Sequence, residues 1–194
     1  MKIKFFVGLL FFTPLLGKCQ DAQVNSVVVP QAKSPIVVGA EQLDLYLPKL
    51  KDKAVGLVIN HTATVGQSHL LDTLLALGIR VEKAFVPEHG LRGTADAGEK
   101  ITDGKDEKTG VAVVSLYGQK RQPAKEDLEG LDLLIFDIQD VGVRFYTYIS
   151  TLHYVMQACA DNNLPLMVFD RPNPNGHFVD GPVLDTAFRS FVGM

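Results

Sequence analysis

Cysteine is scarce in this chain of 194 residues: Cys19 ends an apolar N-terminal run, and Cys159 stands alone on a predicted helix. A single thiol in the body of the protein excludes an internal disulfide framework, and Cys159 reads as a small buried apolar residue rather than a nucleophile. Charge of one sign is also missing. The 19 Lys and Arg are interspersed with 22 Asp and Glu for a net charge of -3, so there is no basic stripe to track a phosphate backbone, and nucleic acid is excluded as a partner. Several chemistries lack their signatures. The sequence holds no GxGxxG and no GxxxxGK[ST], and Gly90-Leu91-Arg92-Gly93 has the wrong spacing for either. It holds no GxSxG elbow and no HExxH helix, so a serine-hydrolase reading lacks its nucleophile and no cofactor or bound metal is expected.

The long apolar run is confined to the N-terminus. Met1-Lys2-Ile3-Lys4, the run from Phe5 to Leu16, and Gly17-Lys18-Cys19 follow the order of a secretory signal: charge, apolar core, small-residue exit. Removal of residues 1–19 and export to the periplasm or the exterior are expected. Lipid anchoring at Cys19 is the alternative, disfavoured by Lys18 where such signals want a small residue. Residues 20–35 are polar, valine-dotted and carry Pro30 and Pro35, which fits an extended leader, and a single domain is expected over 36–194.

Within that domain, short runs rich in Val, Ile and Phe alternate with segments of helical period. The runs 55–59, 81–86, 111–116, 133–138 and 166–169 are nearly continuous in apolar residues, as strands covered on both faces should be. Helices are predicted over 40–50, 68–77 ending at Gly78, 124–129 after Pro123, and 146–162. The alternation predicts an α/β protein with a Rossmann-like open parallel sheet and helices on both faces. Each predicted strand is followed by a polar cluster: Asn60-His61, Glu88-His89 with Arg92, Tyr117-Gly118, Asp137 to Tyr146, and Asp170-Arg171 with Asn173. In an open parallel sheet these carboxyl ends share one edge, and ligands bind there.

The wording of these loops is specific. Val86-Pro87-Glu88-His89-Gly90-Leu91-Arg92-Gly93, Asp96 to Glu99, Ser115-Leu116-Tyr117-Gly118, the stretch from Phe136 to Ile149, and Phe169-Asp170-Arg171-Pro172-Asn173-Pro174-Asn175-Gly176 resemble, in order, the family of exo-β-N-acetylmuramidases of peptidoglycan turnover. The resemblance runs from about Gly39 to the last residue. It implies a Rossmann-like first domain, a smaller second domain that closes the cleft and is absent here, and a muropeptide or disaccharide substrate from which terminal N-acetylmuramic acid is removed.

Glycosidic cleavage generally takes two carboxyl groups, one protonated to assist the leaving group and one ionised. Glu88, directly after a strand and beside a glycine, is the first candidate. Asp137 and Asp140 follow, provided that the second and fourth predicted strands approach one another. Asp137 is equally readable as a holder of its loop, and Glu88 as a brace for Arg92. Muramic acid carries a lactyl carboxylate, for which Arg92, Arg144 or the helix start near Tyr146 supplies positive potential. Gln139 suits sugar hydroxyls or an acetamido group, and Phe145, Tyr146 and Tyr148 offer stacking faces. Asn60, His61, His89, Asp170, Arg171 and Asn173 complete the edge, with Arg171 and Asn173 expected to brace a rigid turn. Two other functions fit the same residues: a metal-dependent cell-wall amidase or esterase built on His61, Glu88, His89 and Asp137, and a muropeptide-binding module without catalysis.

Overall fold

The computed structural model describes residues 36–93, 96 and 102–194. The expected signal segment 1–19 and leader 20–35 lie outside the described residues. All five predicted strands form: β1 (Val55–Ile59), then β4 (Val81–Val86), β6 (Ala112–Ser115), β7 (Leu133–Asp137) and β8 (Leu166–Val168). Between them come the two-residue strands β2 (Thr64–Val65), β3 (Ser68–His69) and β5 (Gly104–Lys105), which the sequence pattern did not suggest. The helices are α1 (Leu43–Leu50), α2 (Leu70–Ala76), α3 (Lys125–Leu128) and α4 (Tyr148–Asp161). Helix α2 starts two residues later than predicted, because Ser68 and His69 pair with Val65 and Thr64 in a small antiparallel hairpin. It ends where expected, with Gly78 in the left-handed region.

Six strands form one sheet in the order β5-β6-β4-β1-β7-β8, parallel except for β5. From β1 the chain moves outward through β4 to β6, then crosses back to the far side of β1 for β7 and β8. The connections that leave β1 and β7 therefore diverge, and the crevice between their carboxyl ends is the topological switch point at which open α/β sheets bind ligands.

Both faces are covered, which explains the continuous apolar runs. Val55, Leu57 and Ile59 of β1 pack with Tyr46 and Leu50 of α1 and Leu70, Leu71 and Leu74 of α2. Val58 points the other way, into a cluster with Phe85, Leu134, Phe136, Leu128 of α3, and Tyr148, Val155 and Cys159 of α4. This is the two-residue period of a strand. Each fully buried aliphatic side chain contributes roughly 1.5–3 kcal/mol. Gly56 is required by this packing, since a methyl there would stand 2.6 Å from Leu134 Cδ1. Cys159 is free and buried, and burial pushes its thiol up to about 11, which leaves it a packing residue.

No helix lies among the described residues between β4 and β6. That connection is tied down by charge instead. Arg92 donates to both oxygens of Asp72 on α2 (3.0 and 2.9 Å) and both of Asp106 (3.1 and 2.8 Å), and Lys108 adds a third bond to Asp72 at 2.7 Å. Bonding to Arg92 holds Asp72 down at about 2 and lowers Asp106 as well.

Candidate active site

The carboxyl edge is assembled by sutures between loops. Asn60, fully buried after β1, accepts from the Thr62 amide at 2.9 Å and the Thr62 hydroxyl at 2.6 Å, and Thr62 Oγ1 in turn accepts from Gln139 N at 3.0 Å. The loops after β1 and β7 are thus joined across the switch point. Gln139 Nε2 donates to the carbonyls of Asp140 (2.7 Å) and Pro172 (2.9 Å), tying in the loop after β8. Asn173 packs against Gly142, where any side chain would overlap it, and Asn175 Nδ2 donates to Val141 O at 2.7 Å.

Glu88 follows β4 on a sharply turned backbone. His89 and Gly90 both adopt φ of +70°, and Gly90 N donates to Pro87 O at 3.2 Å. The glycine is at home there and the histidine is not, an observed irregularity of the kind that gathers at ligand sites. Glu88 Oε1 accepts from the Tyr117 hydroxyl at 3.0 Å. That bond, with burial, raises the Tyr117 phenol above its ordinary value. Glu88 and His89 line a cavity of about 110 Å³ with Phe145, Tyr146, Thr147 and Tyr148. Tyr146 and Tyr148 meet edge-on with ring centres 5.0 Å apart. The Tyr148 hydroxyl is pushed up to about 12, first by burial, then by Tyr146 and the Glu88 carboxylate, with the Asn60 amide opposing. The predicted residues that converge here are Asn60, Glu88, His89 and Tyr146. Tyr117 and Tyr148 complete the group.

Asp137 lies elsewhere. It is fully buried, and both its oxygens are taken by Arg171, from Nε at 2.5 Å and Nη2 at 2.9 Å, while Nη2 also donates to Thr64 O at 2.9 Å. Burial pushes its carboxyl up and the paired guanidinium pulls against it. In this arrangement Arg171 ties the end of β7 to β2 and to the segment after β8, and both Asp137 oxygens are engaged. The proviso that the second and fourth predicted strands approach is not met by direct pairing, because β1 stands between β4 and β7, leaving about 10 Å between them at the usual strand spacing. Asp140 accepts from Gly142 N at 2.9 Å through Oδ2, and its Oδ1 is buried with no hydrogen-bond partner among the described residues.

The arginines also part company. Arg92 is engaged by Asp72 and Asp106, not by Glu88, so its charge is committed to the scaffold rather than offered to a lactyl carboxylate. Arg144 donates to Pro182 O at 2.8 Å and borders an open groove of about 650 Å³ with Phe145, Asn175, Phe178 and Phe188. This groove adjoins the smaller cavity through Phe145. A depression of about 780 Å³ between α1, α2 and Arg80 lies at the opposite, amino-terminal edge of the sheet. His61 is exposed and stacks on Gly93, where a methyl would stand 2.8 Å from its ring. Asp170 is exposed, with its carbonyl accepting from Gly39 N at 2.8 Å. Among the described residues no three His, Cys, Asp or Glu converge as metal ligands would. Tyr117 was discoverable, since it stands at the same offset beyond its strand as Glu88 does.

Fold, switch-point crevice and an acid among aromatic rings define a Rossmann-like α/β domain with its ligand edge at the carboxyl ends of the strands. Residues 55–194 match the family described as exo-beta-N-acetylmuramidase NamZ, N-terminal, and the chain belongs to that family. It is 41% identical to the peptidoglycan beta-N-acetylmuramidase NamZ of Bacillus subtilis (strain 168), across 98% of this chain and 46% of the relative. Two crystal structures of DUF1343 family proteins from Bacteroides fragilis NCTC 9343 superpose with TM-scores of 0.72 and identities of 45% and 39%, covering 82% and 80% of this chain and 41% and 40% of theirs. The chain spans somewhat under half the length of each of these relatives.

Proposed function

We propose that this chain carries the catalytic edge of an exported exo-acting β-N-acetylmuramidase, which removes terminal N-acetylmuramic acid from peptidoglycan fragments during cell-wall turnover and recycling. The observation that supports this most is Glu88: a half-buried carboxyl at the carboxyl end of β4, bonded to a phenol and bordering an aromatic-walled cavity at the ligand edge of the sheet. A carboxyl so placed can protonate a leaving glycosidic oxygen or take a proton from water. Tyr146 and Phe145 supply faces for a pyranose ring. Arg144, at the border of the adjoining groove, is the cation assigned to the lactyl carboxylate. Membership of the NamZ family and the curated relative support the same substrate class. The charged start and apolar run of residues 1–16 favour export.

The decisive assay incubates the full-length protein with a chromogenic β-N-acetylmuramide and with the matching glucosaminide, each with and without a chelator. Release from the muramide alone, unaffected by chelation, is the expected result. Loss of activity on chelation would move the assignment to a metal-dependent amidase or esterase, and tight binding without release to a binding module.

A further inference from the structure

The register of β4 and β6 extends beyond their last ladder pair. Val86 stands opposite Ser115, and Leu116 N still donates to Val86 O at 2.8 Å. Glu88 and Tyr117 each lie two residues past that pair, in the turn and the bend with which the chain leaves the two strands. The backbone of two adjacent strands therefore delivers both side chains to one place, where the phenol donates to Glu88 Oε1 at 3.0 Å. Both ends of the bond are anchored locally. On the β4 side, His89 and Gly90 turn the chain immediately after Glu88. On the β6 side, Tyr117 N donates to Ser115 Oγ at 3.3 Å, and Ser115 N donates to Asp103 Oδ1 at 2.7 Å. Gly118, at φ +86°, turns the chain away at once. The phenol is a rigid arm with two side-chain torsions, whereas a glutamate at the mouth of a cavity samples several rotamers unless something holds it.

We propose that Tyr117 is a positioning residue for Glu88: its hydroxyl fixes the plane of the carboxyl against the cavity, so that the reactive oxygen meets the scissile bond in one orientation. This rests on Glu88 being the catalytic carboxyl. A misplaced catalytic group costs on the order of a hundredfold in rate, so Tyr117→Phe, which removes only the hydroxyl, should lower kcat about ten- to a hundredfold while KM stays within about threefold.

The test is a double-mutant cycle in the full-length enzyme on the chromogenic muramide, with melting temperatures to confirm folding. In the Glu88→Gln background, Tyr117→Phe should produce no further loss beyond about twofold, because a residue that acts through Glu88 has nothing left to position. A further tenfold loss in the double variant would overturn the proposal and give Tyr117 a role of its own, and a raised KM with unchanged kcat would make it a substrate-binding residue. If Glu88→Gln alone keeps near-parental turnover, the catalytic assignment of Glu88 falls and the positioning role with it. Phenolate absorbance separates the two failures. The Tyr117 signal, isolated by difference from Tyr117→Phe, should move to lower pH in Glu88→Gln if the pair exists in solution. No movement would overturn the contact itself, whatever the kinetics.

Discussion

Glu88 follows β4 and Asp137 closes β7, so both acids stand at the same edge of the same sheet, and their surroundings differ in every other respect. Asp137 is fully buried, and a single guanidinium takes both of its oxygens. Glu88 is half-buried, bonded to a neutral phenol, and borders a cavity. Position at the carboxyl end of a strand brings an acid to the ligand edge. Whether it can then meet a ligand depends on whether it borders the cleft, as Glu88 does, or is sealed beneath it against a partner, as Asp137 is. The same contrast separates Arg92, held by four bonds to Asp72 and Asp106, from Arg144, whose described bond is to one exposed carbonyl.

The sharpest way to break this comparison is Glu88→Gln, which keeps shape and removes the titratable proton. Turnover of the muramide should fall about a hundred- to ten-thousandfold in the full-length enzyme, with the melting temperature unchanged. Parental turnover by a folded variant would make Glu88 another brace. Arg171→Ala should show the opposite profile. It leaves the Asp137 carboxylate buried without its partner, a loss of about 3–5 kcal/mol for a broken buried pair, read as a lower denaturation midpoint in urea. A loss under about 1 kcal/mol, the range of exposed pairs, would show that the site is wetter than its burial implies.

How far these roles were legible beforehand follows from what each depends on. The five parallel strands were readable because burial on both faces writes a continuous apolar run into each. The β2–β3 hairpin was not, since two-residue strands leave no period, and its residues His69 and Ser68 passed for the start of α2. The place of Glu88 at the carboxyl edge was readable, because it directly follows an apolar run whatever the strand order. The partner of Asp137 was not, because Arg171 is 34 residues away and becomes its neighbour only through the pairing of β7 with β8. The engagement of Arg92 was hidden for a similar reason: Asp72 lies 20 residues earlier, on α2, and nothing local couples them. The offset of Tyr117 beyond its strand was readable, but its meeting with Glu88 needed the strand order, which places β6 beside β4.

The smallest expected effect concerns the charge cluster of Arg92, Asp72, Asp106 and Lys108. Asp72 is held at about 2, below its ordinary value of 3.8, chiefly by its bonds to Arg92. A carboxyl depressed on folding stabilises the protein fully above its unfolded value and loses that contribution as pH falls through its folded value, so the window runs from about pH 4 down to about 2. Lys108 adds little, since its side chain is 67% exposed, whereas Asp72 is only 19% exposed and its bonds to Arg92 are largely shielded from solvent. Asp72→Asn removes the titrating group while keeping its size. At pH 5 the variant should unfold in urea with a stability lower by about 2 kcal/mol, the worth of a shift of this size, and the gap to the parent should close as both are measured toward pH 2. A gap of constant size between pH 5 and pH 2 would mean that the aspartate acts through shape and hydrogen bonding alone. The cluster would then be a packing feature, and the distinction between committed and available charge that separates Arg92 from Arg144 would lose its electrostatic basis.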